Sequence, residues 1–188
     1  MSTLAELSLP RAVVVIDTDR ADAALAASAL VAALAETGTA VGSLRLGDEG
    51  PVARQALSAA GGDHDVLVAH APGGLLVPLD ARGGTLADVG TSLRYKGVST
   101  GAVLVSSGGD TASNALALTA EALARRELPV IGVVLVLADG PGVPALDRLV
   151  TAAGAPVLAV LSADADPTSP GSQGAPGFFP ETWGTMAP

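Results

Sequence analysis

Cysteine is absent from the 188 residues, which excludes disulfides, thiolate metal sites and a cysteine nucleophile. Aromatic residues make up 2% of the chain, so a core must be packed from small aliphatics. Lysine occurs once, at Lys96, and no basic cluster exists beyond Arg125-Arg126. With a net charge of −9, the chain is a poor ligand for a nucleic-acid backbone, and no nucleic-acid partner is expected. The opening MSTLAELSLPR has no basic stretch followed by an apolar core, so no signal peptide is read there. The longest apolar run, 130–138, is too short to span a bilayer. These absences together lead us to expect a soluble, cytoplasmic protein with one domain.

What is present centres on residues 11–38, RAVVVIDTDRADAALAASALVAALAETG. Val13, Val14, Val15 and Ile16 form a β-branched run without polar alternation, as in a strand covered on both faces. Asp17-Thr18-Asp19 supplies turn and N-cap chemistry, the pattern turns helical from about Asp22, and Gly38 is placed to end the helix. In nucleotide-binding α/β proteins such a strand-to-helix turn seats phosphate on backbone N–H groups. Here the turn has no glycine and holds three aspartates, Asp17, Asp19 and Asp22.

Further strands are read at 40–46, 65–69, 102–105, 130–137 and 157–161, and an extended stretch at 75–79. Helices are read from Pro51 to Ala60, Thr85 to Lys96, Thr111 to Arg126 and Pro144 to Ala153, and loops at 70–74 and 106–110. Strands and helices that alternate with short connections predict an α/β fold of three layers, a mostly parallel sheet with helices on both faces. We read residues 1–163 as one α/β domain. Residues 164–188 change character: Pro, Gly and Ser dominate without periodicity, yet Phe178, Phe179 and Trp183 lie there. Those aromatics predict a tail that docks on this chain or on a neighbour.

The order of segments resembles dethiobiotin synthetase, a P-loop NTPase-fold family that closes a ureido ring on a diamine with carbon dioxide and Mg-ATP. Residues 65–79, DVLVAHAPGGLLVPL, are similar to the family's D-x-x-x-x-E-G-A-G-G-x-x-V-P-L. Thr85-Leu86-Ala87-Asp88 matches its threonine–aspartate helix start, and Asn114, Thr119 and Glu121 match a later helix. The resemblance covers most of residues 11–163 and implies a homodimer.

The departures fall on the chemistry. The family's phosphate loop, G-T-x-T-x-x-G-K-T, corresponds to residues 17–25, DTDRADAAL. Thr18 survives, and Asp19 stands where the family often has aspartate. The glycines, the lysine and the magnesium-binding threonine are replaced by Asp17, Ala23, Ala24 and Leu25. Glycine backbones, a lysine charge and a Mg²⁺-holding hydroxyl are what such a loop contributes, and all three are gone. The family's magnesium glutamate corresponds to His70 and its adenine-reading asparagine to about Val136. Its long substrate segment shrinks to Gly62-Asp63-His64. Asp48, beside Glu49, keeps an acidic position as a weak metal candidate, a poor Mg²⁺ site alone.

The degenerate phosphate-loop positions Asp17, Thr18, Asp19, Asp22 and Ala24, with Gly73, Gly74 and Asn114, are thus the cleft candidates. The aspartates could hold a cation or act as an N-cap with acidic first-turn residues favoured by the helix dipole. His64 and His70 read as solvated loop histidines, too few for a metal site. His70, near a strand's C-terminal end where ligands of open sheets bind, is the candidate acid–base group. Ser106-Ser107-Gly108-Gly109 lacks the surroundings of a nucleophile elbow. Phe178, Phe179 and Trp183 are the candidate interaction residues. The expectation is a catalytically inactive scaffold, regulatory or assembly subunit, without cofactor, that does not hydrolyse ATP. The alternatives are an enzyme or small-ligand binder reusing the cleft, including a divergent ATP-dependent ligase, and a self-assembling structural protein.

Overall fold

The computed structural model describes residues 9–47, 49–138 and 146–164. Asp48 and the segment bearing Phe178, Phe179 and Trp183 lie outside them. The elements in chain order are β1 (Ala12–Asp17), α1 (Ala23–Glu36), β2 (Val41–Arg45), α2 (Val52–Ala60), β3 (Val66–His70) and α3 (Leu86–Tyr95). There follow β4 (Thr100–Ser106), α4 (Ala112–Ala124), β5 (Val130–Leu137), α5 (Leu146–Ala153) and β6 (Val157–Ser162).

The six strands form one sheet in the order β2-β3-β1-β4-β5-β6, and every adjacent pair is parallel. The β-branched run explains why β1 lies inside: alternate side chains serve opposite faces. Val14 and Ile16 join a core with Leu67, Leu104, Leu116 and Leu135, while Val13 and Val15 pack with Leu25, Leu30 and Leu34 of α1. The buried apolar side chains of α2, α3, α4 and α5 belong to the first of these cores, and those of α1 belong to the second. Both faces carry helix, as expected, but unequally. Strand order dictates this: α1 leads leftward past β3 to β2, and every later crossover runs rightward. Right-handed connections place the two directions on opposite faces.

The helix ends are closed by side chains. Asp22 caps α1, and α1 closes where Leu34 O accepts the Thr37 N–H at 3.1 Å, with Gly38 at φ 83°. Thr85 and Asp88 form a capping box on α3. Pro51 gives α2 no side-chain cap; instead Asp80 accepts the Val52 N–H at 2.9 Å from 28 residues away.

Two local expectations are corrected. Residues 75–79 are a turn, not an extended segment: Val77 N–H donates to Gly74 O at 3.2 Å, and Leu79 N–H to Gly84 O at 2.7 Å. Gly73 at φ 89° turns the chain there, and Leu75 and Leu79 drop into the core while Leu76 and Val77 stay exposed. His70 is not a solvated loop residue either. It ends β3, buried, opposite Val15 of β1 and Arg45 of β2. Its neighbour in the reading, His64, is half-buried, and its ring lies where a Cβ on Gly42 or Gly62 would be.

Candidate functional site

The candidate site is the C-terminal edge of the sheet where β1, β3 and β4 end. At the β1–α1 turn each aspartate has a separate partner set. Asp17 Oδ1 accepts the N–H of Asp19 at 3.0 Å and of Ala21 at 2.9 Å. Asp22 Oδ1 accepts the N–H of Ala24 and of Leu25, each at 2.9 Å, and so satisfies the first orphan donors of α1. Asp19 turns the other way, to the end of β4. Its carboxylate accepts Ser106 Oγ–H at 3.0 Å, Ser107 N–H at 2.8 Å and Ser107 Oγ–H at 2.8 Å. Thr18 completes the seam, its N–H and hydroxyl both donating to Val105 O, at 3.0 and 2.9 Å. Arg20 sits at φ 67°, a left-handed conformation that glycine adopts more readily.

The consequence is chemical. A phosphate loop works by leaving its backbone N–H groups free for an anion. Here the N–H groups of Asp19, Ala21, Ala24, Leu25 and Ser107 already donate to carboxylates of this chain. Three negative charges stand where phosphate charge would have to enter. Ala24, at the position of the family's lysine, is exposed and offers no cation, and Lys96 lies at the far end of α3.

Beside this turn, Gly74 approaches the end of β1 so closely that an added Cβ would lie 3.3 Å from Asp17 O. An added Cβ on Gly73 would crowd Val77 at 3.2 Å. Asn114 is exposed in the first turn of α4. Val136 is buried inside β5, an apolar side chain at about the adenine-reading position. α2 connects to β3 through only residues 61–65.

Burial pushes the Asp17 carboxyl up from its ordinary value, helped by the charge of Asp19 and opposed by the N–H groups it accepts. Burial likewise pushes His70 down, the Arg45 charge adds to that, and Asp22 opposes it. His70 is therefore held neutral more readily than a free histidine. Arg45 also lines a cavity of about 490 Å³ with Gln55, Pro72, Val77 and Pro78, between the end of β2 and the loop after β3. Among the described residues no group of three or more His, Asp or Glu side chains is placed to hold a metal ion. None of their helices is long and apolar enough to cross a membrane.

Sequence reasoning missed the Asp19–Ser106–Ser107 clamp and the cap from Asp80. Both join residues far apart in the chain. The only signal was that Asp19 and Ser106-Ser107 each follow a strand, which matters once β1 and β4 are known to be neighbours.

A central first strand, parallel neighbours and a turn into α1 at its C-terminal end define a P-loop NTPase-like fold. Solved structures agree at the level of fold. The signal recognition particle receptor FtsY from Elizabethkingia anophelis, in complex with GDP, superposes with a TM-score of 0.53 at 16% identity, covering 81% of this chain and 57% of that one. Chloroplast FtsY from Physcomitrella patens gives 0.52 at 17% identity, covering 93% and 64%.

In sequence, the chain resembles dethiobiotin synthetase. It is 40% identical over 130 residues to the ATP-dependent dethiobiotin synthetase BioD of Saccharopolyspora erythraea, 65% of this chain and 54% of that one. It is 39% identical over 114 residues to BioD of Streptomyces coelicolor, 57% and 45%. The chain spans about half the length of these curated relatives. No family model matches it.

Proposed function

We propose that this chain is a dethiobiotin synthetase-like protein that neither binds nor hydrolyses ATP and acts by binding, as a scaffold, regulatory or assembly subunit. One observation carries the reading: the N–H groups of Asp19, Ala21, Ala24 and Leu25 in the β1–α1 turn are taken by Asp17 and Asp22, and that of Ser107 after β4 by Asp19. To bind there, phosphate must displace carboxylates that cannot leave and must enter against their charge. The loss of the loop glycines and lysine supports the same reading. We place it in the cytoplasm as a homodimer, by analogy with the enzymes it resembles.

The test is calorimetric titration of the purified protein with Mg-ATP and Mg-ADP, beside an assay for dethiobiotin formation from the diamine. No heat and no product up to millimolar nucleotide is the expected result. Micromolar nucleotide binding, or product, overturns the proposal.

The cavity beside Arg45 favours a second reading, a small-ligand site or enzyme that reuses the cleft. Arg45 would attract an anionic group into a cavity that Glu49 also lines, and neutral His70, paired with Arg45 in the sheet though not lining the cavity, would accept a proton. This reading predicts an activity or affinity lost in both Arg45→Ala and His70→Ala.

A further inference from the structure

All six strands run the same way, so the sheet has two unlike ends, and each carries an apolar surface feature. At the C-terminal end it is a knob. Pro72, Leu76, Val77 and Pro78 of the loop after β3 are all exposed, Leu76 at 56% and Val77 at 44%. The backbone beneath them is fixed. Leu75 and Leu79 anchor the loop in the core, Ala87 N–H donates to Leu75 O at 3.2 Å, and Val77 N–H and Leu79 N–H close its turns. Neighbouring aliphatic side chains held out in water on a fixed backbone mark a contact surface.

At the N-terminal end the feature is a groove. It is a cleft of about 890 Å³ between the end of α3, α4 and the end of α5, where β4 and β5 begin. Val98, Ala117, Ala120, Ala124, Pro129 and Ala152 give it apolar walls. Their short side chains leave room for longer aliphatic ones.

The two ends differ in charge. Strand ends and loops at the knob's end carry Asp17, Asp19, Asp22, Glu49, Asp80 and Asp110 against Arg20, Arg45 and Arg82. Around the groove Arg94, Lys96, Arg125 and Arg126 stand against Glu121 and Glu127. Both glutamates are engaged in the pairs Arg94–Glu127 and Arg125–Glu121, which leaves Lys96 and Arg126 as surplus positive charge. In a chain of net charge −9 that is a local excess of the opposite sign. An apolar knob on an acidic end and an apolar groove beside positive charge complement each other. They lie at opposite ends of one sheet, so a chain cannot fill its own groove with its own knob. A second copy can.

We infer that copies of this chain associate head to tail, with Leu76 and Val77 of one entering the groove between α3, α4 and α5 of the next. Lys96 and Arg126 beside the groove then meet the acidic end of the incoming copy. The loop and the helices are already ordered, so docking orders little new chain. Such a contact is heterologous: every docked copy presents a free knob or groove, and growth continues into rings or filaments instead of stopping at a pair. It is separate from the closed homodimer read by analogy, and it is independent of the nucleotide reading, since the groove lies at the far end of the sheet from the β1–α1 turn.

Sedimentation of the purified full chain over a wide concentration series tests this. Leu76→Asp disables the knob and Ala124→Glu the groove; both positions are exposed, and unchanged circular dichroism checks that the fold is kept. The average mass of the parent should rise steadily with concentration, past that of two copies. Each variant alone should lose this growth. An equimolar mixture of the two should be heavier than either, because one variant keeps its groove and the other its knob. A parent of constant mass overturns the inference; constant at two copies it leaves the homodimer reading standing, and constant at one copy it removes that reading as well. Growth that persists in either variant overturns the inference, and so does a mixture no heavier than its components.

Discussion

Asp19 accepts both the backbone N–H and the hydroxyl of Ser107, each at 2.8 Å, across 88 residues of chain. This pair ties the end of β1 to the end of β4 at the sheet edge where a nucleotide would approach. Replacing Asp19 by alanine leaves buried Ser106 Oγ–H and the Ser107 donors without their acceptor. Charge-assisted bonds of this kind place the loss at about 2–4 kcal/mol, and Asp19→Asn should lose less. Urea unfolding monitored by circular dichroism gives the difference; equal stability of Asp19→Ala and the parent would mean that the clamp does not form.

Asp22→Ala removes the cap of α1 and should cost about 1 kcal/mol, while Asp22→Ser should be nearly neutral because serine caps as well. The same measurement decides. In the nucleotide titration, Asp22→Ala should remain silent, since the freed N–H groups still lack a lysine and glycines beside them.

His70 makes stability depend on pH in a defined window. Its folded value lies below the ordinary 6.5, so the unfolded chain takes up the proton first as pH falls. Stability is full above 6.5 and declines between 6.5 and the lowered folded value, by at most about 1.4 kcal/mol per pH unit for one proton. His70→Gln should flatten that part of the profile. Asp17 acts with the opposite sign and at lower pH: its raised folded value makes protonation favour the fold as pH falls towards 3.8. A slope below 6.5 that persists in His70→Gln would assign it to another group.

Asp80 should contribute to the acid limb. The N–H groups of Val52 and Gly84 hold its carboxyl below the ordinary 3.8, so its contribution is present above 3.8 and lost as pH falls through the folded value. Asp80→Ala should lower the melting temperature at neutral pH and converge on the parent at the acid end. Parallel melting curves at every pH would contradict the cap.

The strands and helices were legible wherever one residue type repeated with a clear period. Val13 to Ile16, 130–137 and the alanine-rich run after Asp22 each carry their signal locally. Leu75 to Val77 misled because an apolar run says nothing about whether a neighbouring strand exists to pair with it. His70 misled because a polar residue before Ala-Pro-Gly-Gly reads as loop, while its backbone carbonyl is still held by Leu46 N–H at 2.8 Å. That residues 17–25 hold neither glycine nor lysine was read directly from the sequence. Where the aspartates point was not, because that depends on which strands are neighbours, and strand order is a property of the whole chain. The uneven sharing of helices between the two faces was hidden for the same reason.

Asp17 and Asp22 are anions attached to the turn they satisfy, and attachment changes their thermodynamics. A diffusing phosphate comes and goes with its concentration, and a loop that depends on it alternates between filled and vacant forms. A carboxylate two to four residues from its donors is present at a fixed, high local concentration and cannot be diluted away. On the reading proposed above, the turn between β1 and α1 has one occupancy at every energy state of the cell, and the surface around it does not tick with a nucleotide clock.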